Sequence, residues 1–183
     1  MNFLNQAELG ILDWIQTYIR CPVLDKAFPV ITALGDAGIL WIALAVVLLF
    51  FKKTRKTGLM MGIALATGLL LINGCMKPLV GRIRPFDVQT AVTLLIEKPH
   101  DFSFPSGHTL ACFEATTVLL ARHKKLGIPA LVVSVLIAFS RMYLYVHYLT
   151  DVLAGIVFGV LIGLFAMWLV NTVHRQIQKK RGI

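Results

Sequence analysis

The chain has 183 residues, of which 57% are hydrophobic, and its formal net charge is +9. Its mean hydropathy of +0.77 is too high for a soluble domain of this length, which could not hide so much apolar surface. Uncharged stretches of about 15 to 20 residues recur, and this is roughly the length that a helix needs to cross a bilayer core. Composition therefore predicts one integral membrane domain. Nucleic acid is excluded as a partner because the basic residues form short clusters between apolar runs.

The N-terminal part, residues 1–32, is predicted to lie in the membrane interface. Over residues 3–19 the apolar side chains fall on one helical face, whereas Glu8 and Asp13 would make a further span costly. No cleavable signal peptide is evident, because a basic start followed by an apolar core is lacking. Residues 21–36 contain two prolines and are predicted to form a short bent helix that leads into the first span.

Five apolar segments predict an all-α, integral membrane helical bundle, with six spans as the alternative count. They cover about residues 33–51, 57–77, 106–121, 126–143 and 150–173. We expect one domain over residues 1–183, with residues 33–173 as its transmembrane core and residues 174–183 as a basic cytoplasmic tail.

Basic clusters follow the first, third and fifth predicted spans. Their members are Lys52, Lys53, Arg55 and Lys56, then Arg122, Lys124 and Lys125, then Arg175, Lys179, Lys180 and Arg181. The positive-inside rule makes that side of the membrane cytoplasmic. The loop 81–104 and the turn 144–149 would then lie on the extracytoplasmic side of the cell membrane. The motifs described next would therefore meet at one extracytoplasmic face.

The sequence Pro105-Ser106-Gly107-His108 opens the third predicted span and is the first candidate site. Glycine permits a close backbone approach, and the unpaired N–H groups of a helix start attract an anion. The Ser106 hydroxyl would add a donor, and His108 would lie beside the bound anion. The alternative is an ordinary helix start near the interface.

A second motif joins the last two predicted spans and reads Ser140-Arg141-x5-His147-x3-Asp151. His147 and Asp151 are four residues apart, so they share one face of a helix. A carboxylate on one ring nitrogen fixes the tautomer and leaves the other nitrogen free to attack. The guanidinium of Arg141 matches two phosphate oxygens. An interfacial histidine with a nearby helix cap is the alternative.

Lys77 and Arg84 add two more cations near the same predicted face. Three cations beside a helix N-terminus would stabilise the charge that spreads over the phosphate oxygens during phosphoryl transfer. Lys77 could instead simply extend towards the interface, and Arg84-Pro85 could be a plain surface loop.

Together these motifs resemble the type 2 phosphatidic acid phosphatase family, whose pattern is K-x6-R-P, P-S-G-H and S-R-x5-H-x3-D. All three occur here in order and without substitution. The resemblance implies that His147 attacks phosphorus, that Asp151 orients it, and that His108 protonates the leaving oxygen and then activates water. It implies five phosphate-binding groups, which are Lys77, Arg84, Ser106, the Gly107 N–H and Arg141. It implies no metal and no cofactor, and no Asp-rich metal motif is present.

The resemblance implies a membrane lipid phosphatase, most closely the bacterial members that convert undecaprenyl diphosphate to undecaprenyl phosphate. Phosphatidylglycerophosphate, phosphatidate and diacylglycerol pyrophosphate are alternative substrates, because the motifs would bind the phosphate and do not indicate which lipid tail is attached to it. The competing classes are a vanadate-bearing haloperoxidase, whose relatives are soluble, and a non-enzymatic carrier, which does not explain three motifs at one face. The oligomeric state is left open.

Glu114 lies six residues after His108, inside a predicted span. An acid at membrane depth is a functional candidate by default. The alternative is a protonated or paired side chain within the bundle.

Overall fold

The computed structural model describes residues 3–180, and it is helical with no strand among them. The helices are α1 (Phe3–Tyr18), α2 (Pro22–Ala33), α3 (Ile39–Phe50), α4 (Arg55–Gly68), α5 (Lys77–Val80), α6 (Pro85–Val88), α7 (Gly107–Arg122), α8 (Lys124–Tyr143) and α9 (Leu149–Lys180). A 3₁₀ turn, Asp36–Gly38, precedes α3, and a π-helical segment, Leu69–Met76, joins α4 to α5. The predicted all-α fold is confirmed.

Four helical segments are long and apolar enough to cross a membrane. They are Pro22–Phe50, Arg55–Val88, Lys124–Tyr143 and Leu149–Lys180, and they account for four of the five predicted spans. The remaining predicted span, residues 106–121, corresponds to α7, which has only 16 residues. It lies at the centre of the bundle, where it contacts α4, α8 and α9 and buries most of its side chains. The protein is therefore a multi-pass membrane protein built around a short central helix.

The first predicted span, residues 33–51, lies largely within the segment Pro22–Phe50, but a break interrupts the helix near the start of the predicted span. Ala37 has a φ of 50° and Gly38 a φ of 67°, and this left-handed backbone ends one helical path before α3 begins at Ile39. The preceding Gly35 allows a close approach, because a Cβ there would lie 2.8 Å from Cδ2 of His108. The break therefore brings the Asp36 turn against the start of α7.

Helix α1 differs from a simple amphipathic interfacial helix, because several of its polar side chains face the protein. Asp13 accepts a 2.6 Å hydrogen bond from the Tyr145 hydroxyl, and the Gln16 amide donates to the Tyr143 carbonyl over 2.7 Å. The aromatic Trp14 is exposed instead. Helix α1 has 16 residues and is not among the segments long and apolar enough to cross a membrane.

The remaining boundaries also differ from the predicted ones. The loop 81–104 contains the short helix α6, which begins at Pro85, where a proline suits a first helical turn. The last helix continues beyond the predicted span, so residues 174–180 of the expected basic tail belong to α9. Residues 181–183 of that tail lie outside the described part of the chain.

The close packing of α7 on α9 depends on glycines at four-residue spacing. A Cβ at Gly155 would lie 2.9 Å from the Ser106 carbonyl oxygen, and one at Gly159 would lie 2.8 Å from that of Leu110. Small residues at this spacing let two membrane helices approach closely. This packing places the start of α9 directly behind the start of α7.

We expect Gly159→Ala to destabilise the protein by about 1–3 kcal/mol, because the added methyl group overpacks the contact between α7 and α9. Gly62→Ala on α4 is the matched control, since a Cβ there meets no atom within 4 Å. Thermal unfolding of the detergent-solubilised variants measures the difference. An unchanged melting temperature for Gly159→Ala would contradict the packing described.

Candidate active site

Six of the eight predicted site residues line one cavity of about 430 Å³. They are Lys77, Arg84, Gly107, His108, Arg141 and His147. The other two, Ser106 and Asp151, are fully buried, and the Ser106 N–H donates to the Asp151 carbonyl over 3.0 Å. The fold therefore brings the three sequence motifs to a single place.

His147 lies in the turn between α8 and α9, with its two ring nitrogens in different surroundings. Nε2 is 3.2 Å from Nη1 of Arg84. A guanidinium can only donate, so Nε2 is the acceptor and the ring proton lies on Nδ1. Nδ1 is 3.5 Å from both the Ser103 hydroxyl and Oδ2 of Asp151. The lone pair of His147 is therefore on Nε2, on the side of the cations.

The pKa of His147 lies well below the ordinary imidazole value. Burial is the main cause, and the positive charges of Arg84, Arg141 and Lys77 lower the pKa further. The neutral ring is consequently the dominant form at neutral pH. A neutral imidazole with an available lone pair is the form that can act as a nucleophile.

Asp151 is held by three donors besides its proximity to His147. Its Oδ2 accepts hydrogen bonds from the Ser103 hydroxyl over 2.5 Å and from the Tyr148 N–H over 2.9 Å. Its Oδ1 accepts a 2.5 Å bond from Arg82. The predicted neighbours His147 and Asp151 lie together, with 3.5 Å between Nδ1 and Oδ2, which is longer than an ordinary hydrogen bond.

Arg84 and Lys77 share one carboxylate, that of Asp101. Oδ1 of Asp101 accepts a 2.5 Å hydrogen bond from Nη2 of Arg84, and Oδ2 accepts one from Lys77. Burial raises the pKa of Asp101, but the hydrogen bond and charge of Lys77 and the charge of Arg84 outweigh burial and hold that pKa below its usual range. Asp101 lines the cavity and is therefore an anion seated between two of the predicted phosphate-binding cations.

Arg141 is buried to the same extent as Arg84. Its Nη1 donates to the Thr32 hydroxyl over 2.6 Å, which ties α8 to α2. Its Nε has no hydrogen-bond partner among residues 3–180, although the side chain is buried. A buried guanidinium with an unused donor at a cavity wall is suited to an additional anionic ligand.

Gly107 and His108, the first two residues of α7, line one wall of the cavity. Nε2 of His108 lies 2.8 Å from Oδ1 of Asp36, which the break before α3 has brought there. A Cβ at Gly107 would make a tight 3.2 Å contact with Oδ1 of Asn73 and an ordinary 3.6 Å contact with Nζ of Lys77. The predicted helix start is confirmed, and Ser106 is its N-cap. The Ser106 hydroxyl accepts a 3.0 Å hydrogen bond from the Thr109 hydroxyl.

Arg82 is a central residue that the sequence did not single out. Besides Asp151, it contacts Oε2 of Glu8 at 2.5 Å, donates to Thr150 over 2.7 Å, and lies 3.9 Å over the Tyr148 ring. Asp36, Thr32, Asp101 and Ser103 were also missed as partners. Nothing in the sequence singled out Arg82 from the other charged residues of the loop 81–104. Arg82 differs from them in its contacts with residues that are distant along the chain.

The family model of the PAP2 superfamily matches residues 53–175. The chain belongs to the PAP2 superfamily. The matched residues include both ends of the predicted motif set, Lys77 and Asp151, and they begin in the turn before α4. The resemblance drawn from the three motifs is thereby confirmed at the level of the family.

Individual PAP2 relatives agree with this assignment. The undecaprenyl-diphosphatase of Sulfolobus acidocaldarius is 35% identical over 133 residues, which are 72% of this chain but only 64% of that protein. The undecaprenyl-diphosphatase BcrC of Bacillus subtilis is 35% identical over 143 residues, covering 77% of this chain and 72% of its own. The crystal structure of a transmembrane PAP2-type phosphatidylglycerolphosphate phosphatase from Bacillus subtilis matches with a TM-score of 0.73 and 31% identity, covering 97% of this chain and 89% of that one.

We expect Arg82→Gln to destabilise this PAP2 protein by about 3–5 kcal/mol, because it leaves the buried carboxylates of Glu8 and Asp151 without their shared cation. Lys98→Gln is the matched control. Lys98 has the same 2.5 Å separation from Asp87, but both side chains are exposed, so its loss should cost less than about 1 kcal/mol. Thermal unfolding in detergent compares the two, and equal small shifts would refute the role of Arg82.

Proposed function

We propose that this PAP2 protein is a lipid phosphatase that releases phosphate from a lipid phosphate or diphosphate through a phosphohistidine on His147. The observation that carries the proposal is the accepting Nε2 of His147, which faces a cavity lined by Lys77, Arg84 and Arg141. A neutral nucleophile surrounded by fixed cations is the arrangement that a phosphoryl transfer requires.

In the first step, the lone pair on Nε2 of His147 forms a bond to phosphorus while the bond from phosphorus to the leaving oxygen breaks. Arg84, Lys77 and Arg141, with the Gly107 N–H, hold the remaining phosphate oxygens, and Ser106 fixes the helix start. His108 donates a proton to the leaving oxygen, which departs with the lipid. Asp151 stabilises the positive charge that develops on the His147 ring.

In the second step, His108 takes a proton from water, and the resulting hydroxide attacks the phosphohistidine. The phosphorus–nitrogen bond breaks, its electron pair returns to Nε2, and inorganic phosphate leaves. The 2.8 Å contact with Asp36 supports this role, because it holds the His108 ring at the cavity wall throughout both steps.

Undecaprenyl diphosphate, converted to undecaprenyl phosphate, is the leading substrate. Two relatives that cover more than 70% of this chain carry the name undecaprenyl-diphosphatase, which supports it. Phosphatidylglycerophosphate is the second candidate, because the phosphatidylglycerolphosphate phosphatase structure covers 97% of this chain. In either case the tail remains in the bilayer beside the helices.

The site is proposed to face the outside of the cell membrane. The turn before α4 and the end of α9 lie together, since Lys52, Arg55 and His174 line one groove. Thr57 also meets His123 of the turn after α7 at 3.0 Å. All three basic clusters therefore lie at the end of the bundle opposite the cavity. The positive-inside rule makes their end cytoplasmic.

We expect His147→Ala to lower turnover of undecaprenyl diphosphate and phosphatidylglycerophosphate at least about a thousandfold, because it removes the nucleophile. Phosphate release by the purified protein in detergent measures this, and the same panel ranks phosphatidate and diacylglycerol pyrophosphate. His174→Ala, an exposed histidine at the opposite end, is the control.

Retention of more than a tenth of wild-type turnover by His147→Ala would refute the covalent mechanism. If neither wild type nor variant released phosphate, but both moved a lipid phosphate across vesicles equally well, the protein would be a carrier.

We expect Asp101→Asn to lower both KM for a lipid phosphate and the inhibition constant of orthovanadate by about tenfold, because its carboxylate competes for Lys77 and Arg84. Asp87→Asn is the control, since Asp87 pairs with exposed Lys98 in the same loop. Steady-state kinetics measures both constants. An increase in both would show instead that Asp101 positions the two cations.

A further inference from the structure

A second cavity, of about 540 Å³, lies between α3, α4 and α7 and has almost wholly apolar walls. Its size falls within the range of about 300–1,000 Å³ that is typical of small-molecule sites. Its outer wall carries the exposed side chains of Ile42, Val46 and Leu69. We call this cavity the apolar groove. Exposed apolar residues on membrane helices face lipid, so the apolar groove is accessible to a hydrocarbon chain from the bilayer.

The apolar groove begins where the phosphate cavity ends. Gly107 lines both cavities, and Asn73 of the π-helical segment lines the groove beside it. Oδ1 of Asn73 would be 3.2 Å from a Cβ at Gly107. A molecule with its phosphate among Lys77, Arg84 and Arg141 thus has its next atoms at the mouth of the groove.

Two buried oxygens in this groove lack a hydrogen-bond partner among residues 3–180. They belong to Asn73 and Glu114. Glu114 is 1% exposed and packs against Gly68, where any Cβ would overlap its carboxyl group. It lies seven residues after Gly107 on α7, so it is about 10 Å deeper along the helix. No described Lys, Arg or His side chain pairs with it.

The chemistry of Glu114 identifies the kind of ligand that suits this position. A carboxylate without a partner is costly to bury in hydrocarbon, so the neutral acid is the form that fits, and it has an O–H donor with nothing to bind. A buried donor gains most from an acceptor that arrives with the ligand. A polyprenyl chain has no acceptor, whereas a diacylglycerol has ester carbonyls a few bonds from its phosphate.

We propose that Glu114 is a specificity-determining residue that donates a hydrogen bond to an ester carbonyl of a glycerolipid phosphate lying in the apolar groove. Glu114 thus lets the protein act on diacylglycerol-based phosphates in addition to undecaprenyl diphosphate, and it distinguishes ester-bearing glycerolipids from those without a carbonyl. The inference rests on the proposed function, because it places the lipid portion of the phosphatase substrate next to Gly107.

The test compares two substrates that differ only in the carbonyl groups: a diacyl phosphatidate and the dialkyl ether analogue with the same chain lengths. We expect wild type to have a KM for the ether lipid that is about 3- to 10-fold higher, which is the worth of one hydrogen bond. Glu114→Leu removes the donor, so the ratio of the two KM values should fall to about one. Glu114→Gln keeps a donor and should preserve the wild-type ratio.

Thr117→Val is the control variant, because Thr117 lies on the same helix and packs against Gly163 of α9 rather than the groove. Its KM ratio should equal that of wild type. The inference is overturned if Glu114→Leu keeps the wild-type ratio, or if wild type does not distinguish the two lipids. Melting temperatures of the solubilised variants identify any that fail to fold; should Glu114→Leu be one of them, Glu114→Met, which also lacks a donor, takes its place in the comparison.

Failure of the proposed function would give a different result. If wild type released phosphate from neither lipid, nor from undecaprenyl diphosphate, the phosphatase proposal would fall, and the groove would be tested by binding instead. Competition of the two lipids against a fluorescent phosphatidate, in detergent, would then measure the diacyl preference of wild type and Glu114→Leu. A preference that is absent from wild type, or equal in both proteins, would overturn the subsite.

Discussion

Three positive side chains, Lys77, Arg84 and Arg141, lie around one neutral imidazole in a largely buried cavity. Mutual repulsion and desolvation oppose such a cluster, so it forms only where other groups compensate. Asp101 compensates for two of the cations, while Arg141 is held by a neutral hydroxyl and its Nε finds no partner within the described residues 3–180. Burial lowers the pKa of His147, and the field of these cations lowers it further. The positive potential that would attract phosphate therefore also helps to keep the His147 ring unprotonated.

Packing of α9 against α7, and the contacts of Arg82, support this cluster on the side away from the cavity. Gly155 and Gly159 let α9 lie against α7, so that Asp151 meets Ser106 at the base of the site. Arg82 then links Asp151 to Glu8 and so joins α1 to the catalytic end of the bundle. Because both carboxylates are buried, the N-terminal helix contributes to the charge balance around Asp151 as well as to packing.

The proposed function divides recognition of a substrate between the two cavities. The phosphate cavity is charged and touches the exposed loop 81–104, whereas the apolar groove opens between helices towards lipid. Gly107 belongs to both, so one backbone position separates the reacting phosphate from the lipid portion. An amphiphile can occupy both at once without leaving the membrane, which explains why the site lies at the end of the bundle.

Sequence alone predicted the membrane class, the helical fold, and the eight candidate site residues within the three motifs, because apolar length and exact local spacing are properties of neighbouring residues. It did not reveal the break at Ala37, the inward-facing polar side of α1, or Arg82, Asp101 and Asp36 as partners. Those depend on contacts between residues far apart in the chain, such as Arg82 with Glu8 and His108 with Asp36. Only tertiary packing selects which of many similar charges become buried, and burial decides which of them must be paired.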